Sequence, residues 1–256
     1  MLYNHIPFRN SDAVQGFTYS FFERFAPMVA TRETFDRHLH SLLDETLVLG
    51  SMVEQAVLES VDALNKRDLE AARRIYNDDR KINEKRYAIE NEVLTLIATQ
   101  QPMARDLRLL AAILEINTEL ERMGDYAKGI SKISNLLGND PVRIPSADFQ
   151  LMAELGLGML DRALSAFVSR DAETARHIPD EDDQVDKLYN MIFHELMGQM
   201  IEDTSTMDRA NYLIWVAHNL ERLADRVTNI CERIVFVITG EMRELDTTYD
   251  EINARY

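Results

Sequence analysis

From Ile113 onward the chain sets an apolar side chain every three or four positions: Ile113, Ile116, Leu120, Met123, Ala127 and Ile130. The same rhythm returns as Leu213, Val216, Leu220, Leu223, Val227, Ile230, Ile234 and Val237. Alternating steps of three and four trace one stripe along a helix, the seam by which a bundle helix packs against antiparallel neighbours. No segment shows the period-two alternation of a strand for long enough to matter. Prolines at 7, 27, 102, 141, 145 and 179 are expected to mark connections, because proline lacks an N–H and clashes inside a helix. Gln101-Pro102 reads as a turn, Gly138-Asn139-Asp140-Pro141 as a helix end with glycine beyond the last turn, and 141–148 as a linker. Pro179 precedes the acidic run Asp180–Asp183, which suits the positive end of a helix dipole.

The pattern is doubled. Glu121-Arg122-Met123-Gly124-Asp125 recurs one hundred residues later as Glu221-Arg222-Leu223-Ala224-Asp225. Upstream, Asp68-x-Glu70-x-Ala72-Arg73 matches Asp171-x-Glu173-x-Ala175-Arg176, and Asp79-x-x-Ile82-Asn83 matches Asp182-x-x-Val185-Asp186. A tandem duplication of one unit with three main helices follows. The fold expected is all-α, two homologous three-helix bundles. Residues 31–140 form the first and 145–241 the second, with an extension at 1–30 and a tail at 242–256.

Composition narrows the chemistry. The 256 residues carry 28 Lys+Arg against 44 Asp+Glu, a net charge of −16, which argues against a nucleic-acid binder. Apolar residues make up 46% of the chain, enough for a real core, yet no apolar run approaches the roughly 20 residues of a membrane span. The single cysteine, Cys231, allows no internal disulfide and no Cys-based metal site, and is expected as a packed helical residue. Histidines complete neither Glu-x-x-His nor His-Glu-x-x-His, and phosphate-loop and nucleophile-elbow motifs are missing, so an enzyme is not expected.

The repeated Glu-x-x-x-Asp is the candidate chemistry. Residues four apart stack on one helix face, where like charges repel slightly. Glu121 and Asp125, and likewise Glu221 and Asp225, point off the core towards one flank. Counting back from the turn at Gln101-Pro102 brings Asp79 and Asn83 to the height of Glu121 and Asp125. A turn near Asp203–Thr206 does the same for Asp182 and Asp186. Each half then offers up to four oxygen ligands, suited to magnesium, manganese, calcium or iron. The competing explanations are ordinary ones. Asp78, Asp79, Asp180 and Asp182 fall where caps are common, the motif beside Arg122 or Arg222 is a solvated face, and Gly124 and Ala224 serve close helix packing. His218, three before Glu221, reads as a surface histidine.

These residues resemble the PhoU family. The resemblance is carried by the doubled Leu-Glu-Arg-(Met/Leu)-(Gly/Ala)-Asp at 120–125 and 220–225. Gly50-Ser51-Met52-Val53-Glu54, the stretch Gln100–Arg108 and Asn229-Ile230-Cys231-Glu232 add to it. It extends from about Thr31 to Glu241 and leaves Met1–Ala30 without a counterpart. It implies a cytoplasmic negative regulator of phosphate uptake and of phosphate-starvation signalling. Such a regulator acts as an adaptor between the ATPase subunit of a phosphate ABC transporter and a phosphate-sensing histidine kinase, peripheral to the inner face of the membrane and homodimeric. It also implies iron, zinc or other metal clusters on Glu121, Asp125, Glu221 and Asp225, extended to Asp79, Asn83, Asp182 and Asp186. Asn83 replaces an acid of the family pattern and Ala224 a glycine. The alternative function is a metal-binding, metal-storage or metal-dependent hydrolytic bundle.

Overall fold

The computed structural model describes residues 12–138 and 143–245, with side chains described from residue 32 onward. Pro7, Pro141 and the tail beyond residue 245 lie outside the described residues. Among the described residues seven α-helices follow one another: α1 (Asp12–Lys66), α2 (Leu69–Gln100), α3 (Ala104–Leu137), α4 (Ser146–Ser169), α5 (Ala172–His177), α6 (Asp182–Glu202) and α7 (Met207–Thr239). The described residues contain no strand, and none of their helices is long and apolar enough to cross a membrane. Pro27 departs from expectation, since it lies within the span of α1 rather than in a connection. The helix there gives up the hydrogen bond that an N–H would have made.

Two compact units divide the chain, residues 1–41 and 42–256. In the first, Phe35 and Leu39 are buried and Arg32 pairs with Asp36 at 3.0 Å. The second holds both repeats. Residues 42–66 of α1, with α2 and α3, form one half; α4, α5, α6 and α7 form the other. Every seam residue from Ile113 to Ile130 is fully buried, and so is the seam of α7 from Leu213 to Ile234.

The duplication is visible in backbone detail. Arg67 and Arg170 both take a left-handed conformation, with φ of 56° and 58°. Each is followed by an aspartate that caps the next helix. Asp68 accepts from the backbone N–H groups of Glu70 and Ala71, Asp171 from those of Glu173 and Thr174. These satisfy amides that a helix start otherwise leaves without partners. The true cap of α2 is therefore Asp68, and Asp78 and Asp79 stand in the middle of that helix, not at its start. In the second half the counterpart of α2 is broken. A 3-10 turn at Ile178–Glu181 holds Pro179 between α5 and α6, where an unbroken helix would need the missing N–H. Arg162 of α4 grips both carboxylate oxygens of Glu181 and ties this turn to the bundle.

The halves meet along α3 and α7. Arg108 lies against Gly240, Glu115 pairs with Arg233, Asn229 donates to Glu119, Arg222 stacks on Tyr126, and Asn219 approaches Gly129. One number rises as the other falls by the same amount, so the two helices run antiparallel in one register. Glu119 is the polar centre of this seam. It accepts from Arg122 at 2.7 Å, from Arg226 at 3.3 Å and from Asn229 at 3.4 Å.

Candidate metal centres

In the first half, α2 supplies Asp79 and Asn83 and α3 supplies Glu121 and Asp125. The α2–α3 turn is tight: Gln101 takes a left-handed conformation and Met103 opens α3. Close approach below it depends on Gly124. A Cβ there would come within 3.1 Å of two carbons of Ile82, so the helix-packing explanation for this glycine holds. Asp79 is only 6% exposed. Its Oδ2 accepts from Lys128 Nζ at 2.7 Å and from Asn83 Nδ2 at 3.0 Å, while its Oδ1 is buried with no hydrogen-bond partner. Lys128 Nζ also lies 3.8 Å from Asp125 and over the ring of Tyr76. Burial, then Asp125 and Asp79, raises the Glu121 carboxyl above its ordinary value, against Arg86 and Arg122. Burial and Asp79 raise Asp125, opposed by Lys128. Three carboxylates are thus gathered, and a lysine already sits among them as counter-ion.

In the second half, α6 begins at Asp182 and carries Asp186, and α7 carries Glu221 and Asp225. Here Thr228 stands where Lys128 stands in the first half. The Glu221 carboxyl is pushed up to about 7 by burial first, then by Asp225 and Asp186, with Arg222 opposing. Nδ1 of His218 lies 3.2 Å from Glu221 Oε2, close enough for an ion pair when the imidazole is charged but outside hydrogen-bond geometry. His218 is exposed, as expected, and its ring neighbours Tyr189. Ala224 sits beneath the acids and faces Gly156 of α4.

The structure therefore gathers Asp79, Glu121 and Asp125 in one half and Asp186, Glu221 and Asp225 in the other. The α2-side acid has moved by one turn between halves, from the Asp79 position to the position of Asn83. Asn83 spends its amide on Asp79 rather than presenting it outward. Asp182 is not among the groups that raise Glu221. Among the described residues, no three His, Cys, Asp or Glu side chains converge tightly enough to hold a metal ion as placed. The oxygen donors are of the right kind for a hard cation. Lys128 was not foreseen from the sequence. Its signal was there: it lies three residues after Asp125 on the same helix face, and the repeat replaces it with Thr228.

A model of the PhoU domain family matches residues 46–134 and again 149–234. The chain is 36% identical over 217 residues to the "phosphate-specific transport system accessory protein PhoU homolog" of Clostridium acetobutylicum, covering 84% of this chain and 99% of that protein. It is 36% identical to the protein of the same description from Caulobacter vibrioides, covering 82% and 92%. Among solved structures, the phosphate transport system regulatory protein PhoU from Streptococcus pneumoniae superposes with a TM-score of 0.76 at 34% identity, over 82% of this chain and 99% of that one. PhoU from Pseudomonas aeruginosa gives 0.74 at 30% identity, over 81% and 100%.

Proposed function

The chain belongs to the PhoU family, and from that premise we propose that it is an accessory regulator of phosphate transport. The single observation that carries this is the double match: both repeats fit the family domain, and relatives named for that role align over almost their whole length. In its fuller form, the protein is a cytoplasmic adaptor and a homodimer. It links the ATPase subunit of a phosphate ABC transporter to a phosphate-sensing histidine kinase and restrains starvation signalling when phosphate is plentiful. The test is alkaline phosphatase activity in phosphate-replete source cells lacking this gene. High activity, restored to baseline by a complementing copy, supports negative regulation. Unchanged activity in the deletion strain rejects it.

The metal sites form part of the same proposal, with the halves unequal. In the first half Lys128 already answers the charge of Asp79 and Asp125. In the second, a carboxyl held up to about 7 by burial and then by two neighbouring carboxylates is the kind of group that a cation relieves. Glu221 and Asp225, with Asp186 and then Asp182, would hold an iron, zinc, magnesium or manganese ion there, which would supply neutralisation of charge between α6 and α7. Metal content after desalting tests the asymmetry. Glu221→Gln/Asp225→Asn is expected to lose most of the bound metal and Glu121→Gln/Asp125→Asn little of it. Equal losses, or none in either variant, would reject the asymmetry.

A further inference from the structure

The charge of −16 makes clustered cations conspicuous, and one cluster lies away from both acid centres. Where the start of α3 meets the end of α7, a cavity of about 300 Å³ is walled by Arg105, Asp106, Arg108, Leu109, Arg170 and the Val237–Ile238 pair. Elsewhere the arginines are largely spoken for: Arg162 by Glu181, Arg226 by Glu119, Arg233 by Glu115. The side chains of Arg105, Arg108 and Arg170 make no ion pair or hydrogen bond to another described residue. Nε of Arg108 is buried without an acceptor; those of Arg86 and Arg226 are too, but these two pair with Glu90 and Glu119 through their other nitrogens, and Arg108 does not. Buried donors are normally satisfied, so an unused guanidinium N–H in a cavity wall points to a ligand rather than to packing.

Helix ends sharpen the sign of that ligand. The partial negative charges at the ends of α7 and α4 account for some attraction of Arg108 and Arg170. They do not account for Arg105, which stands in the first turn of α3, where the helix dipole is already positive and Met103 provides no side-chain cap. Two positive charges in excess remain after Asp106 is counted. A guanidinium fork matches the spacing of oxygens on a tetrahedral oxyanion. The volume lies at the small end for ligand pockets, which favours an ion over a whole nucleotide.

We propose that Arg105, Arg108 and Arg170 form an oxyanion pocket that binds free orthophosphate. Asp106 selects the source. Its carboxylate accepts hydrogen bonds only. Orthophosphate at neutral pH keeps a P–OH to donate, whereas a phosphomonoester, with its second pKa near 6, has largely lost its proton, and sulfate has none. An anion without that proton brings only further negative charge to the Asp106 carboxylate, whereas orthophosphate adds a donated hydrogen bond to the contact that Asp106 already makes within the fold. The site stands apart from the accessory role: binding is read on purified protein and the role in cells, so either can fail alone.

Isothermal titration calorimetry on the full chain, at near-neutral pH and constant ionic strength, tests the proposal with orthophosphate, sulfate and AMP in separate runs. Orthophosphate is expected to bind more tightly than either competitor. Arg105→Gln, at an exposed position, is expected to weaken it about tenfold, with Arg105→Lys intermediate, as befits loss of the bidentate fork. Arg108→Gln and Arg170→Gln should do the same while thermal melts show a folded protein. No binding at millimolar phosphate would overturn the site, as would binding unchanged in the Arg105→Gln/Arg170→Gln variant. Tighter binding of AMP or sulfate than of orthophosphate would overturn the assignment to free phosphate.

Discussion

At Glu221, burial and two neighbouring carboxylates act in the same direction, and the proton is held up to about 7 in the folded state against 4.5 ordinarily. A carboxyl raised in this way keeps its proton in the native protein while the unfolded chain has already released it. The contribution of this carboxyl to the stability of metal-free protein is therefore lost as pH rises from about 4.5 to about 7, and levels off above. Glu221→Gln should match the parent near pH 4.5 and exceed it above pH 7, measured by urea unfolding after chelation. An equal gap at both ends of that range would show that Asp225, Asp186, Arg222 and His218 compensate. Lys128 makes the opposite case. Removing it as Lys128→Met strands the buried Asp79 carboxylate, and because Lys128 is itself 34% exposed the cost should be about 1–3 kcal/mol rather than the full value for a buried pair. Adding Asp79→Asn should recover most of that loss in the same denaturant melt; no recovery would mean that Lys128 acts through its contact with Tyr76 instead.

Among the elements, α2 and its broken counterpart show what one residue type does to a repeated plan. Both begin after a left-handed arginine and an aspartate cap, so the entry is the same. Asp68→Ala removes an acceptor from two amides of α2 and should cost about 1 kcal/mol, read as a lowered unfolding midpoint. Asp68→Asn, which keeps the acceptor, should cost much less; equal losses would move the effect from the hydrogen bonds to the dipole. Beyond the entry the plans part. Pro179 forces a 3-10 turn, α6 restarts at Asp182, and the acid facing α7 shifts to Asp186. One proline thus helps explain why the two acid clusters are related but not alike.

Across the whole second unit, α3 and α7 join the two repeats by one antiparallel register, and polar groups mark its centre. Glu119 is only 14% exposed and Arg226 17%. A double-mutant cycle on Glu119→Ala and Arg226→Ala should give a coupling of about 1 kcal/mol, above the few tenths common on open surfaces. No coupling would mean that the apolar seam alone joins the halves. The same antiparallel arrangement brings the start of α3 beside the end of α7. Arg105 and Arg108 thereby reach the cavity lined also by Arg170.

The helices, the duplication and the apolar seams are legible along the chain, because each depends on spacing: three-to-four periodicity, a hundred-residue echo, prolines and glycines at breaks. The sequence also paired Glu121 with Asp125 and Glu221 with Asp225, since a helix fixes what lies four residues away. Of the two readings it left open for Asp79, the one on the helix facing Glu121 holds and the helix-start one fails, because the cap lies at Asp68. What lies across from each group is set by packing between helices. Lys128 on Asp79, Ile82 on Gly124, Glu119 between two arginines, and three arginines around one cavity are all meetings between residues or helices packed in three dimensions. Side-chain rotamer, burial and the register between helices set those meetings, and none of the three is written in the spacing of a single helix.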